Sequence, residues 1–435
     1  MRRAEHVVLI NPPSPWLISD RDLPPLGLLY LAASLREHGV SVEVCDLAGE
    51  DVERSVIPTG DLYGIGFTTP QYGVVKRLVD MLACRQNAYI VLGGPHCSAL
   101  PVRTQKELEP DLLLAGEADW SLVDFVQGRD KAAIPGAVYW DLERDGWNVN
   151  PLPVVPFDML PMPARDLVYF DDYAKIKTFT SFGCMREASV ITARGCPYDC
   201  AFCGQRCITG GRVRYRTVQQ VVDEVRLLKY RYGVDQVNFV DDTFNLDMFR
   251  VADLCERLKG MDVVWHCLAR ADRFTLDTAQ RLYEGGCRSV TFGFESGSDR
   301  ILAAMNKHLT ARRSLEAAVD AKAAGLAVRA QMIVGFPGET DETVEETAAF
   351  VRRAPVDKWG FHIFAPLPGS PAWHDPEAYG LELDKEAVDF EHGFTTIGRP
   401  GEWDETLVVA KEWLNHLTAV AKGRNTYEGV AKCTP

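Results

Sequence analysis

The first 130 residues alternate short apolar runs with stretches in which apolar residues recur every three or four positions. His6–Ile10, Ser41–Cys45, Tyr63–Phe67, Tyr89–Leu92 and Leu112–Ala115 are short and β-branched-rich, which predicts buried parallel strands. Leu26–Glu37 and Tyr72–Cys84 carry helical spacing, and Gly39 supplies a stop after the first. The alternation predicts an α/β domain over residues 1–130, a flavodoxin-like, doubly wound parallel sheet. Its ligands should then sit at the carboxyl ends of the strands, in the loops Asn11–Pro15, Thr68–Gln71 and Gly93–His96.

From 131 to 187 the periodicity fails and prolines cluster, as in a connecting segment wrapped on the surface. Val138–Trp140 and Trp147–Val149, separated by a stretch ending in Asp-Gly, suggest one hairpin there. Over 188–395 the pattern returns with a longer period. Strand-like runs at Ser189–Thr192, Gln236–Val240, Val263–Cys267, Ser289–Phe294, Val328–Val334 and Gly360–Ala365 alternate with helical stretches. Six βα units predict a partial (βα)6 barrel. Residues 396–435 hold one further helix, Glu405–Ala421, and a tail.

Composition narrows the class only modestly. With 46% apolar and 25% charged residues the chain is ordinary globular protein, and its net charge of −14 disfavours a nucleic-acid or anionic-membrane surface. No apolar run reaches membrane-spanning length, and the apolar stretch at the N-terminus is short for a signal peptide, so the expected location is the cytoplasm. Twelve cysteines in 435 residues make no disulfide framework, but Cys196, Cys200 and Cys203 crowd together and suggest metal chemistry in a reducing compartment.

These three form a C-x3-C-x2-C pattern directly after the first barrel strand. Three thiolates on one loop can hold three irons of a [4Fe–4S] cluster and leave the fourth iron open. A structural zinc site is the alternative, with Cys207 as fourth ligand. Gly195 lets the backbone bend close to the cluster, and Phe202 offers an apolar surface beside it.

Over Ala188–Ser370 the sequence resembles the radical S-adenosylmethionine (SAM) enzymes. The resemblance rests on the cysteine triad, Val240-Asp241-Asp242-Thr243-Phe244, Gly293-Phe294-Glu295-Ser296-Gly297-Ser298 and Ile333-Val334-Gly335-Phe336-Pro337-Gly338-Glu339. Pro366-Leu367-Pro368-Gly369-Ser370 is similar to the last-strand motif of the subfamily with an N-terminal cobalamin-type domain. The resemblance implies that Cys196, Cys200 and Cys203 ligate the cluster. It also implies that SAM chelates the open iron and yields a 5′-deoxyadenosyl radical that abstracts a substrate hydrogen. The family's Gly-Gly-Glu after strand two is replaced by Asp241-Asp242. SAM needs acceptors for its ammonium and ribose and a donor for its carboxylate. Asp242, Glu295 and Ser296 are candidates for the first role and Arg270 for the second, with Gly335 and Gly338 admitting the adenine. A structural ion pair is the competing reading for each charged residue.

Asn11-Pro12-Pro13, Pro24-Pro25-Leu26-Gly27 and Gly93-Gly94-Pro95-His96 look like the cobalamin-binding domain fused to many radical SAM enzymes. Paired Gly93 and Gly94 would make room for a flat ligand, whereas the position of an axial histidine is occupied by proline. Cobalamin is therefore open, and His96 is expected to cap a loop rather than bind metal. Two reactions compete. The leading one is radical dehydration of a vicinal diol in a cationic, aminosugar-type small molecule, similar to aminoglycoside diol dehydratases. It rests on the negative charge, on Asp241, Asp242, Glu295, Glu339 and Asp375 near the barrel mouth, and on the short segment after the last barrel motif. The alternative is cobalamin-dependent C-methylation. His266, His362 and Tyr215 are candidate general acids or bases. The expected partners are a flavodoxin- or ferredoxin-type electron donor and, for a deoxygenation, a separate reductase.

Overall fold

The computed structural model describes residues 4–14, 17, 19–85, 88–174, 186–386, 388, 390 and 405–423. Five parallel strands open the chain: β1 (His6–Asn11), β2 (Ser41–Asp46), β3 (Leu62–Gly66), β4 (Tyr89–Gly93) and β5 (Leu112–Leu114). β6 (Ala137–Asp141) and β7 (Gly146–Val149) form a hairpin whose first strand pairs antiparallel with β5. The sheet order is β2-β1-β3-β4-β5-β6-β7, so the chain reverses direction across the sheet beside β1. That reversal opens a crevice at the carboxyl ends of β1, β3 and β4. Helices cover both faces, burying Leu26, Leu29 and Leu35 on one side and Val75, Leu78 and Leu82 on the other.

The second sheet is wholly parallel: β8 (Glu187–Val190), β11 (Gln236–Phe239), β12 (Val264–Ala269), β13 (Cys287–Glu295), β14 (Ala327–Val334) and β15 (Lys358–Ile363). Between β8 and β11 lies a short antiparallel ribbon of β9 (Ala193–Arg194) and β10 (Arg214–Tyr215). The first and last strands of the six do not pair, which leaves an open barrel.

Alternation along the strands sorts the barrel residues by face. Val190, Phe239, Trp265, Cys267, Phe292, Phe294, Ala330 and Met332 point outward into the core under the helices. The opposite face carries Ser189, Asn238, His266, Ser289, Thr291, Arg329 and Gln331, so the lumen is polar. The helices start at side-chain caps: Thr217, Asp247, Thr275 and Thr310 each accept a hydrogen bond from a first-turn amide. The last helix, Glu405–Lys422, packs Leu417 against Val334, Val344 and Ala348, covering the outside of the sheet near β14.

Buried ions tie the connecting segment to the barrel. Arg165 donates to the Glu224 carboxylate (Nη2–Oε1 2.6 Å), which Arg216 also contacts, and Arg216 lies 3.2 Å from the Tyr30 hydroxyl of the front domain.

Candidate radical site and front cavity

The strand β9 delivers the chain to Gly195, which has φ +98°; a side chain there would strike the Arg212 carbonyl oxygen. The Gly195 amide donates to the Asp242 carboxylate (3.1 Å). Past this pivot, Cys196, Cys200 and Cys203 gather on one loop. The Cys203 amide donates to the Cys200 carbonyl (3.0 Å), and the Cys196 sulfur lies 3.7 Å from the Thr243 hydroxyl. The loop is braced from outside: the Ala201 amide donates to the Met305 carbonyl, and the Ala372 amide to that of Ala201. Burial pushes the Cys203 thiol up to about 11, and the nearby Cys200 and Cys196 sulfurs add to the rise. Burial also raises Cys200, against the opposing pull of Lys307 and Arg270.

Among the described residues no three His, Cys, Asp or Glu side chains converge as ligands of a single metal ion. A four-iron cluster takes three thiolates on three irons and leaves the fourth open, whereas structural zinc needs a fourth protein ligand. Cys207, the suggested fourth zinc ligand, packs against the Gly369 turn, and burial pushes its thiol up to about 11. Cys184 and Cys433 lie outside the described residues.

Charges beside the triad are arranged differently from the sequence expectation. Glu295 ends β13 at φ +66°, and its carboxylate pairs with Lys307 (2.8 Å), both side chains being buried. Lys307, which the motifs did not flag, lies between Asn306 and His308, both at positive φ, and its ammonium sits 5.6 Å from the centre of the Phe202 ring. Positive φ at three non-glycine residues around one ion pair is local strain of the kind found at functional sites. Arg270 also stands beside the triad: it hydrogen-bonds the Cys200 side chain while it stacks on Tyr198 (3.5 Å to the ring centre), pairs with Asp272 (2.9 Å) and donates to the Lys307 carbonyl (2.8 Å).

Asp242 holds the Gly195 amide and the Gln205 side chain, and burial raises its carboxyl. The Ser296 hydroxyl is bound to Thr347 (3.2 Å) and accepts the Ser298 amide, so it organises the turn after β13. Gly335 has φ +83° and backs onto Ala410 of the last helix, which accounts for the missing side chain by packing. The remaining acids are likewise engaged. Asp241 accepts from the Thr192 amide (2.6 Å) and is pushed up to about 6 by burial. Glu339 accepts from the Gly335 and Phe336 amides and is pushed up to about 7 by burial. Asp375 accepts from the Ala378 amide.

The three acid–base candidates have separate surroundings. His266 is buried between Ser289 (2.7 Å) and Thr291 (3.3 Å), and burial lowers it to about 3, which makes it a satisfied neutral lumen residue. Tyr215 lies on the β9–β10 ribbon under the Arg250 guanidinium (5.0 Å). His362, on β15, is exposed and bonds through Nε2 to the Gln331 carboxamide oxygen (2.8 Å).

A cavity of about 440 Å³ opens where the front sheet faces the cysteine loop. Its front wall includes Asn11, Gly66, Gly93 and Gly94 at strand ends, and its rear wall includes Arg194, Gln205, Val240 and Asp242. Side chains at Gly66 or Gly93 would meet neighbours only at 3.5 Å, so these glycines leave usable space. Gly94 is fixed as glycine by φ +90° and a 2.7 Å approach to the Phe67 amide nitrogen. Among the described residues no histidine lines the cavity. His96 is instead buried behind it, stacked on Phe67 (5.2 Å between ring centres) and lowered to about 3 by burial. The glycine edge leaves room for a flat ligand beside the strand ends.

A parallel sheet with a crevice at its switch point, followed by an open barrel bearing a three-cysteine loop, defines the class. Residues 190–351 match the Radical SAM superfamily and residues 19–126 the B12 binding domain. The chain belongs to the radical SAM superfamily, in the branch that carries a B12-binding domain ahead of the barrel, and its cofactors are a [4Fe–4S] cluster and SAM. It is 35% identical over 378 residues to an "Uncharacterized methyltransferase" of Pyrococcus horikoshii, covering 83% of this chain and 80% of that one. It is 25% identical to the cytidylyl-2-hydroxyethylphosphonate methyltransferase of Streptomyces wedmorensis, over 93% of this chain and 88% of that one. The radical SAM methyltransferase TsrM of Kitasatospora setae, solved with cobalamin and a [4Fe–4S] cluster, shares the fold. It has a TM-score of 0.69 at 20% identity over 85% of this chain and 77% of that one. Among the described residues no helix is long and apolar enough to cross a membrane.

Proposed function

We propose that this radical SAM enzyme is a cobalamin-dependent methyltransferase acting on a small organic substrate. The observation that carries this reading is the cavity between the two domains, lined by Gly66, Gly93 and Gly94 at the front strand ends and by Arg194, Gln205 and Asp242, which flank the cysteine loop. The methyltransferase names of the relatives support it. The dehydration reading loses part of its basis in charge: Asp241 and Glu295 are buried against the chain's own donors, and Asp242, Glu339 and Asp375 each accept from one of its amides.

In this reading Cys196, Cys200 and Cys203 hold the cluster, and Gly195 with Asp242 fixes the loop that presents them. When bound, the cluster supplies the electron for SAM cleavage and cobalamin carries the methyl group. Lys307 joins Arg270 as a cation beside the triad for the SAM carboxylate, while Glu295 holds that ammonium in place and offers an acceptor. Phe202 shields the cluster edge. Gly93 and Gly94 clear the corrin face. His362, held through Nε2 by Gln331, offers its other ring nitrogen as a hydrogen-bonding group for the substrate. A flavodoxin or ferredoxin supplies electrons.

The test uses oxygen-free, cluster-reconstituted protein with dithionite, SAM and hydroxocobalamin. The expected result is about one cobalamin per chain and S-adenosylhomocysteine formed only when cobalamin is present. SAM turnover that ignores cobalamin, or a product lighter by one water instead of heavier by CH2, overturns it.

A further inference from the structure

One side chain joins the front cavity to the cysteine loop. Arg194 is separated from Cys196 only by Gly195. Its guanidinium grips Asp119 with both terminal nitrogens (2.7 and 3.2 Å) and reaches Glu117 (3.3 Å), both in the loop that follows β5 of the front sheet. The faces of Tyr30 and Phe157 cover it, with ring centres at 4.9 and 4.5 Å. The carboxylates are 5% exposed and the arginine 14%, so this is a desolvated interdomain pair. Glu117 is held a second time by Arg214, from the strand beside Arg194. Arg194, Glu117 and Asp119 all line the cavity.

We propose that Arg194 is a positioning residue that couples the two cofactor sites, so that occupation of the front cavity and assembly of the cluster loop stabilise each other. The coupling rests on the cavity being the cobalamin site proposed above. Its physical origin is the shared pair. Asp119 without the Arg194 guanidinium would be a buried unpaired carboxylate, which is costly, so the front loop and the cysteine loop order together. A ligand that binds only the assembled wall then favours the ordered cysteine loop, and linkage requires the reverse effect to be equal. A fork matched to a carboxylate is a property of arginine that lysine lacks.

Hydroxocobalamin is titrated by visible absorption and ultrafiltration into the full-length protein, prepared with and without reconstituted cluster. Iron content and thermal melting are recorded for each preparation. The wild-type protein should bind hydroxocobalamin about 5-fold or more tightly when the cluster is present. In Asp119→Asn and Arg194→Lys that ratio should fall towards one while iron can still be loaded. A merely structural role would weaken both affinities equally and leave the ratio intact, and that result overturns the proposal. So does a wild-type ratio of one. Absence of hydroxocobalamin uptake by the wild type in either state overturns the cobalamin reading and the coupling together, whereas uptake without a ratio overturns the coupling alone. Should Asp119→Asn not fold, Arg194→Lys decides.

Discussion

The two halves of the molecule build ligand sites at the same place in the same kind of sheet, by opposite means. The front domain removes matter: Gly66, Gly93 and Gly94 clear the ends of β3 and β4, and apolar side chains surround the space. The barrel adds charge and then neutralises it internally. Glu295 with Lys307 and Arg270 with Asp272 are ion pairs beside the cysteine loop, and Asp242 accepts from the Gln205 side chain. A site made of absent side chains selects by shape, while a site of paired charges is preorganised for an ionic ligand at little reorganisation cost. The difference teaches that acidic residues at a barrel mouth do not signify a cationic substrate until their partners are known.

Substitutions can break this contrast. The largest effect is expected from Cys200→Ser, which should abolish SAM cleavage and cluster iron while leaving hydroxocobalamin uptake measurable. Complete loss of both would show the sites to be one cooperative unit. Lys307→Met leaves a buried carboxylate unpaired and should cost roughly 3–5 kcal/mol in thermal or denaturant unfolding, much of it restored by adding Glu295→Gln. Recovery of stability without recovery of SAM affinity would separate the ion pair's structural role from its binding role.

Gly94→Ala strains a positive φ and crowds the Phe67 amide, an expected cost of about 1–3 kcal/mol with weakened hydroxocobalamin binding and intact iron content. The smallest effect concerns Glu339, whose carboxyl is raised by burial. The folded state therefore holds its proton more tightly than the unfolded state, and this group's contribution falls as pH rises through about 7. In Glu339→Gln, the loss of melting temperature between pH 5 and 8 should be smaller than in the wild type. An identical pH profile would rule that assignment out.

The strands and most of the longer helices were legible because parallel sheets buried on both faces leave continuous apolar runs. Leu26–Glu37 has the bounds expected from spacing alone. The short helices Pro95–Ala99, Pro101–Leu108 and Asp299–Ala304 were not foreseen, since one or two turns carry too little periodicity to register. The cysteine loop and the paired glycines stood out through local spacing. Lys307 did not, although its place between Asn306 and His308 after a helix end was a weak signal of a special turn. Arg270 and Ser296 had residue types suited to SAM, but their partners come from Asp272, the Lys307 carbonyl and Thr347, which spacing does not disclose.

The sequence by itself therefore determined the two parallel sheets, the order of the domains along the chain and the three-sulfur loop. All of these follow from short-range periodicity and ligand spacing. Only the tertiary structure decided which charges were spent on one another, that His266 is a sealed neutral ring, and that Arg194 reaches across to Asp119 and Glu117. The reason is physical: burial and pairing are set by groups dozens of residues apart. An ionisable side chain acquires its chemistry from those neighbours rather than from its place in the chain.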